Sequence, residues 1–213
     1  MKIHILSLKD SIYFMLNTSR IILPTLFILS IIFSSCGESP DDILNKYQKT
    51  YNDNNIDGTM MLLSNNAVIK INESEFLTTP EEIRNYFEYE SALYSKINLS
   101  DFASSGNDVL FVMGKTSDLL ETIGIDTAKF TATFSLLDGK IKRISFQPTN
   151  KTSDRINNFK KRFMNWADKE KPKELKRIMR GSNFIYTKEN AREYLQIIID
   201  WKKSKTTGLV EKK

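Results

Sequence analysis

The chain has 213 residues, 40% hydrophobic and 27% charged, with a formal net charge of +5 at pH 7. It holds one cysteine, Cys36, and one histidine, His4. An internal disulfide is therefore excluded, and so, beyond the first few residues, are imidazole-based nucleophilic triads and zinc sites built on His or Cys. At the N-terminus, Lys2, Lys9 and Arg20 precede an apolar run from Ile21 to Phe33, then Ser34-Ser35 and Cys36. Thirteen residues of helix span roughly 20 Å, short of the ~30 Å hydrocarbon core of a bilayer, so the run suits a cleaved export signal better than a permanent span. The alternative, an anchor helix over residues 12–33, would carry Arg20 near its middle at about 2.5–3.5 kcal/mol.

Phe33-Ser34-Ser35-Cys36 resembles a lipobox, the motif at which bacterial lipoproteins are acylated and cleaved, with Phe33 in place of the usual Leu or Val. The resemblance implies a signal peptide over residues 1–35, lipidation of Cys36 and an address in the cell envelope. Two or three acyl chains, palmitate among them, would hold the protein on a membrane where one would not. Residues 36–40 read as a tether. In some sorting systems of the lipoproteins this segment resembles, Asp after the cysteine marks inner-membrane retention, so the resemblance implies the outer membrane for a chain with Gly37 there.

Within residues 41–150, Ile43, Leu44, Tyr47 and Tyr51 recur at helical spacing, with Asp41 or Asp42 available as a cap. A short helix around Ile56 and Met60 and a strand over residues 67–71 follow. Thr79-Pro80-Glu81-Glu82 is a capping box with proline at the first helical position, which predicts a helix to about Tyr94. The period then changes to two: 97–103, 109–116, 128–136 and 140–147 are strands, and Gly106-Asn107 and Asp138-Gly139 supply hairpin turns. Between the second and third of these strands, residues 115–127 form either a flap or a short packing helix. The pattern predicts an α+β fold in which a curved antiparallel sheet packs on N-terminal helices.

Residues 151–205 read as a helical appendage. Ile156, Phe159, Phe163 and Trp166 lie on one helix face, Pro172 opens a second helix, and Thr187 a third with Tyr194, Ile198 and Trp201. Alignment of Thr187-Lys188-Glu189-Asn190-Ala191-Arg192-Glu193-Tyr194 with Thr79-Pro80-Glu81-Glu82-Ile83-Arg84-Asn85-Tyr86 makes a degenerate half-repeat the other reading. Residues 206–213 are expected to be disordered. Residues 36–150 carry 10 basic against 17 acidic side chains, and residues 151–213 carry 18 against 8. Such opposite charge suits an anionic partner, mutual attraction of the two parts, or plain solvation of lysine-rich helices.

Tyr47, Tyr51 and Asn54-Asn55-Ile56-Asp57, then Glu81 to Phe87, then Asp138-Gly139-Lys140-Ile141 resemble the nuclear transport factor 2-like superfamily, which includes polyketide-cyclase-like and ketosteroid-isomerase-like proteins. The resemblance implies a cone-shaped, cystatin-like roll over residues 41–150 whose interior can take a small apolar ligand. An isomerase or dehydratase of that kind needs a carboxylate and a phenol in an apolar pocket, and Tyr47, Tyr51 and Asp101 are the candidates. A non-catalytic binding or interaction module is the leading reading, and a structural envelope protein without a ligand the third. No cofactor, metal or nucleic-acid partner is expected; a protein partner is left unassigned.

Overall fold

The structure, a computed structural model, describes residues 38–71, 75–181 and 183–210. The signal segment and Cys36 lie outside them. From Ser39 onward the chain forms one compact unit.

Helix α1 (Pro40–Asn52) starts at Ser39 rather than at an aspartate: the Ser39 hydroxyl accepts from the Asp42 amide at 3.2 Å, and the Asp42 carboxylate returns the bond. α2 (Ile56–Met61) leads into β1 (Leu63–Ile71) and the short β2 (Glu75–Leu77). α3 (Pro80–Ala92) opens with the predicted box, Thr79 Oγ1 accepting from Glu82 N at 3.2 Å and Glu82 from Thr79 N at 3.0 Å. Then come β3 (Lys96–Ser105), β4 (Asp108–Thr116), α4 (Asp118–Thr122), β5 (Ala128–Leu137) and β6 (Lys140–Pro148). α4 takes the place of any flap, because Leu120 and Ile125 are buried against the sheet end.

The sheet runs β2-β1-β6-β5-β4-β3. Its hairpins are antiparallel and turn on Gly106 (φ +61) and on Asp138-Gly139 (φ +51 and +70), positive angles that tight turns require. β1 pairs with β6 in parallel, Ile69 opposite Ile144, so the sheet is mixed rather than wholly antiparallel. Turn chemistry specifies neighbours in sequence and is silent about this distant pairing. The open edge at β3 is covered by α1: Gln48 Oε1 accepts from Leu99 N at 2.7 Å, while Asn52 both donates to and accepts from the Ile97 backbone at 2.8 Å.

The C-terminal part comprises α5 (Asn150–Glu170), α6 (Pro172–Ile178), the two-residue strands β7 (Met179–Arg180) and β8 (Asn183–Phe184), and α7 (Lys188–Val210). α7 runs five residues into the segment expected to be disordered; no proline interrupts it, and extending a formed helix costs far less than starting one. Phe159, Phe163, Ala167, Leu175, Ile178, Ile198 and Trp201 make a second apolar cluster. Trp201 and Trp166 pack on Phe159 and Phe163 at 5.5–6.4 Å between ring centres, inside this cluster. The seam to the sheet domain is built by other aromatics: Tyr86 and Tyr89 of α3 meet Phe184 and Tyr186 at 5.2–5.3 Å. Leu119, Ile123 and Ile156 add aliphatic contact across the same join, Lys202 and Arg155 donate to the carbonyls of Thr122 and Gly124, and the ion pairs Lys171–Asp200 and Arg177–Glu193 both lie within the basic segment. Among the described residues, no helix is long and apolar enough to cross a membrane.

Candidate functional site

The roll's interior is filled by the apolar stripe of α1. Tyr47 meets Phe134 of β5 edge to face at 4.9 Å, and Phe134 meets Phe111 of β4 at 4.8 Å. Phe87 of α3 closes the ring from above, 6.2 Å from Tyr51 and 6.4 Å from Tyr47. Each such pair contributes about 0.5–1.5 kcal/mol beyond the area it buries.

At the end of the roll nearest the C-terminus of α1, this apolar packing gives way to a buried polar group. Glu90 of α3, 4% exposed, receives the Tyr51 hydroxyl on Oε2 at 3.2 Å and the Lys115 ammonium of β4 on Oε1 at 2.6 Å. Both carboxylate oxygens are thereby occupied, as a buried charge requires. Ser95 Oγ is buried near this group and has no hydrogen-bond partner among the described residues. Next to it is a cavity of about 10 Å³ lined by Thr50, Tyr51, Asn54, Thr59, Glu90 and Ser95. That is room for about one water molecule. Burial pushes the Tyr51 phenol well above its ordinary value, and the Glu90 charge pushes it further; Tyr47 and Tyr86 are raised by the same two causes. At neutral pH these phenols are donors and never bases. A water in that space would lie against the Tyr51–Glu90 pair.

Of the residues singled out in the sequence, Tyr47 and Tyr51 lie inside the roll and Asp101 does not join them. Asp101 continues the inward alternation of Ile97 and Leu99, but a bulge between Ser100 and Ala103 puts it at φ +57, and its side chain is exposed. The carboxylate that meets Tyr51 is Glu90, with Lys115 as counter-ion, and sequence reasoning passed over both. Each was visible as a break in a pattern. Glu90 is the charged member of the stripe Ile83-Tyr86-Phe87-Glu90, and Lys115 ends the inward series Val109-Phe111-Met113. One helical stripe and one strand face each contributing a charge signals a buried pair. Among the described residues, no group of three or more acidic, His or Cys side chains could hold a metal ion.

No model of a known protein family matches the sequence, and no curated protein does. Solved structures match about half of the chain. One is a nuclear transport factor 2-like (NTF2-like) protein of unknown function from Cytophaga hutchinsonii, at 13% identity and TM-score 0.46, the match covering 56% of this chain and 98% of that one. A second is an uncharacterized cystatin fold protein from Novosphingobium aromaticivorans, at 16% identity and TM-score 0.45, covering 52% and 99%. A third is an epoxide hydrolase/cyclase-like enzyme of pyran ring formation in the polyether salinomycin, at 16% identity and TM-score 0.47, covering 53% and 92%. At these identities and scores the likeness carries no further than the architecture that the chain itself displays, an α+β protein with a mixed six-stranded sheet.

Proposed function

We propose that the protein is a lipid-anchored interaction module of a bacterial envelope, tethered through Cys36 and without catalysis of its own. The order charge, apolar run, Ser34-Ser35, Cys36 supports the anchor, and Gly37 the outer membrane. The observation that carries the rest of the reading is the filled roll: Tyr47, Phe87, Phe111 and Phe134 occupy the space where a substrate would lie, and the adjoining cavity of about 10 Å³ admits a water and not an apolar ligand. Growth on a labelled fatty acid tests the anchor. Wild type should carry label and fractionate with membranes, and Cys36→Ser should do neither; identical behaviour of the two refutes it. Titration with the apolar dye 1-anilinonaphthalene-8-sulfonate tests the filled roll. Saturable binding of one dye per chain would overturn it.

The Tyr51–Glu90 contact favours one second reading, a cofactor-free isomerase or dehydratase in which the phenol donates to a substrate oxygen and Glu90 moves a proton. It requires the roll to open by the volume of a ring, and then Glu90→Gln would abolish turnover while leaving dye binding intact.

A further inference from the structure

The start of α1 and two turns of the sheet share one end of the roll. α1 runs antiparallel to β3: Gln48 accepts from the Leu99 amide, and Asn52, one helical turn later, bonds the Ile97 backbone. Ser39 precedes Gln48 by about 14 Å of helix, and the same length of strand beyond Leu99 leads to Ala103, close to the β3–β4 turn. The β5–β6 turn stands beside that one, since Leu136 N donates to Asn107 O at 2.7 Å.

Among the described residues, five large apolar side chains are exposed, and four of them gather at this end. Phe102 sits in the β3 bulge, next to the Ala103–Leu110 pair; Leu110 follows closely on the start of β4 at Asp108; and Leu137 lies opposite Lys140 on the last rung before the β5–β6 turn. Met61, the most exposed at 72%, offers its carbonyl to the Lys140 ammonium, while Ile141 N donates to Leu62 O at 2.9 Å. From β3 across β4, β5 and β6 to the start of β1, this rim is about 19 Å wide. Scattered apolar side chains on a surface are ordinary, whereas four on one rim form a contact surface. The fifth, Tyr94, lies at the far end, just before β3 begins. The basic helices join at the far end too, where the Thr152 hydroxyl of α5 accepts from Lys129 N at the start of β5 at 3.0 Å.

We infer that this rim rests on a lipid bilayer, with Met61, Phe102, Leu110 and Leu137 entering the headgroup boundary of the leaflet that holds the Cys36 acyl chains. The inference builds on the anchor proposed above. Cys36 lies three residues before Ser39, at most about 11 Å of chain, so the tether brings the Ser39 end of the roll against the lipid before any other. Asp108 and Asp138 stand beside the apolar side chains at the two turns, so the rim suits zwitterionic headgroups and is not drawn to anionic ones. Burial of the four side chains adds to the hold of the acyl chains and fixes the direction of the roll, leaving the basic C-terminal helices pointing away from the membrane.

The chain from Cys36 onward, compact from Ser39, tests the rim when its single thiol is coupled to a maleimide-bearing phosphatidylethanolamine in phosphatidylcholine vesicles. The tether then exists whether or not a cell acylates Cys36. Photoreactive benzoylphenylalanine is placed at Leu137 or, as the far-end control, at Asp126, and phospholipid adducts are measured by mass spectrometry. Position 137 should give about tenfold more adduct than position 126. Met61→Ser, Phe102→Ser and Leu110→Ser together should lower the adduct at 137 about fivefold, while the melting temperature holds because all three side chains already face solvent. Adding phosphatidylglycerol should not raise the adduct at either position. Equal adduct at the two positions, a yield at 137 that survives the triple substitution, a yield at 126 that overtakes it in anionic vesicles, or adducts at 137 to a second copy of the chain in place of lipid overturns the assignment. Fatty-acid labelling is read separately: a chain that takes no label yet inserts this rim when coupled refutes the anchor alone, and a labelled chain without the adduct at 137 refutes the rim alone.

Discussion

Replacing Tyr89 by alanine tests whether the sheet domain and the C-terminal helices are one cooperative unit. Tyr89 is 6% exposed and its ring lies 5.2 Å from those of Phe184 and Tyr186, in a cluster completed by Leu93 and Ala191. Truncating a buried aromatic in such a place costs about 3–5 kcal/mol. In a cooperative unit of this size each kcal/mol lowers the midpoint by about 2–4 °C, so Tyr89→Ala should shift a single calorimetric transition down by about 10 °C. Circular dichroism at a helix wavelength and near-ultraviolet signals from Trp166 and Trp201 should report the same midpoint, because the tryptophans sit in the C-terminal cluster and would melt separately in an independent module. A second transition unaffected by the substitution, or a shift below about 2 °C, would refute the reasoning.

Raising the pH should reveal the buried phenols: folding favours the neutral forms of Tyr47, Tyr51 and Tyr86, so their contribution is complete below pH about 10 and lost as pH rises beyond it. Phenolate absorbance should then appear in two steps, the second coinciding with unfolding; one step, complete while the protein is still folded, contradicts the burial. Glu90→Gln should cost about 3 kcal/mol by leaving Lys115 without its counter-charge, and adding Lys115→Met should restore much of the loss, as urea titration of the single and double variants will show. A double variant no more stable than Glu90→Gln alone would contradict the pairing. A chelator should leave the melting temperature unchanged, since no described cluster of acidic, His or Cys side chains could hold a cation; a fall of many degrees would overturn this.

Local chemistry made most of the elements legible. The Thr79 capping box, the alternation of Phe130, Ala132 and Phe134, and the Asp138-Gly139 turn each act over a few residues, and each predicted the element observed there. Long-range partners were less so. The Asp41–Asp42 pair looked like a cap because aspartates commonly are, yet Ser39 was one turn better placed to receive the Asp42 amide. Trp166 and Trp201 lie on apolar helix faces, yet Tyr86, Tyr89, Phe184 and Tyr186 make the aromatic contact with the sheet domain, because burial of a helix face does not say which element buries it. Asp101 was chosen by alternation, and the extra residue of a bulge undid the alternation at that point. Glu90 and Lys115 could have been paired in advance, one on a helix stripe and the other on a strand face, had charge on apolar positions been weighed as evidence of a partner.

The parallel pairing of β1 with β6 bears on how the chain acquires its fold. β1 has only the three-residue β2 on one side until residues 141–146 arrive to pair on the other, some seventy-five positions later in the chain. During synthesis, therefore, Ala67 and Ile69 wait with an open edge while the β3–β4 hairpin and β5 are made, and the sheet becomes continuous only at its last strand. Closing so long a loop is paid for in chain entropy before any contact repays it, which slows folding and leaves strand edges exposed to other chains meanwhile. A nascent chain that ends before β6 should be unable to fold, and a chain kept unfolded until it is whole, as one threaded through a membrane is, escapes that hazard.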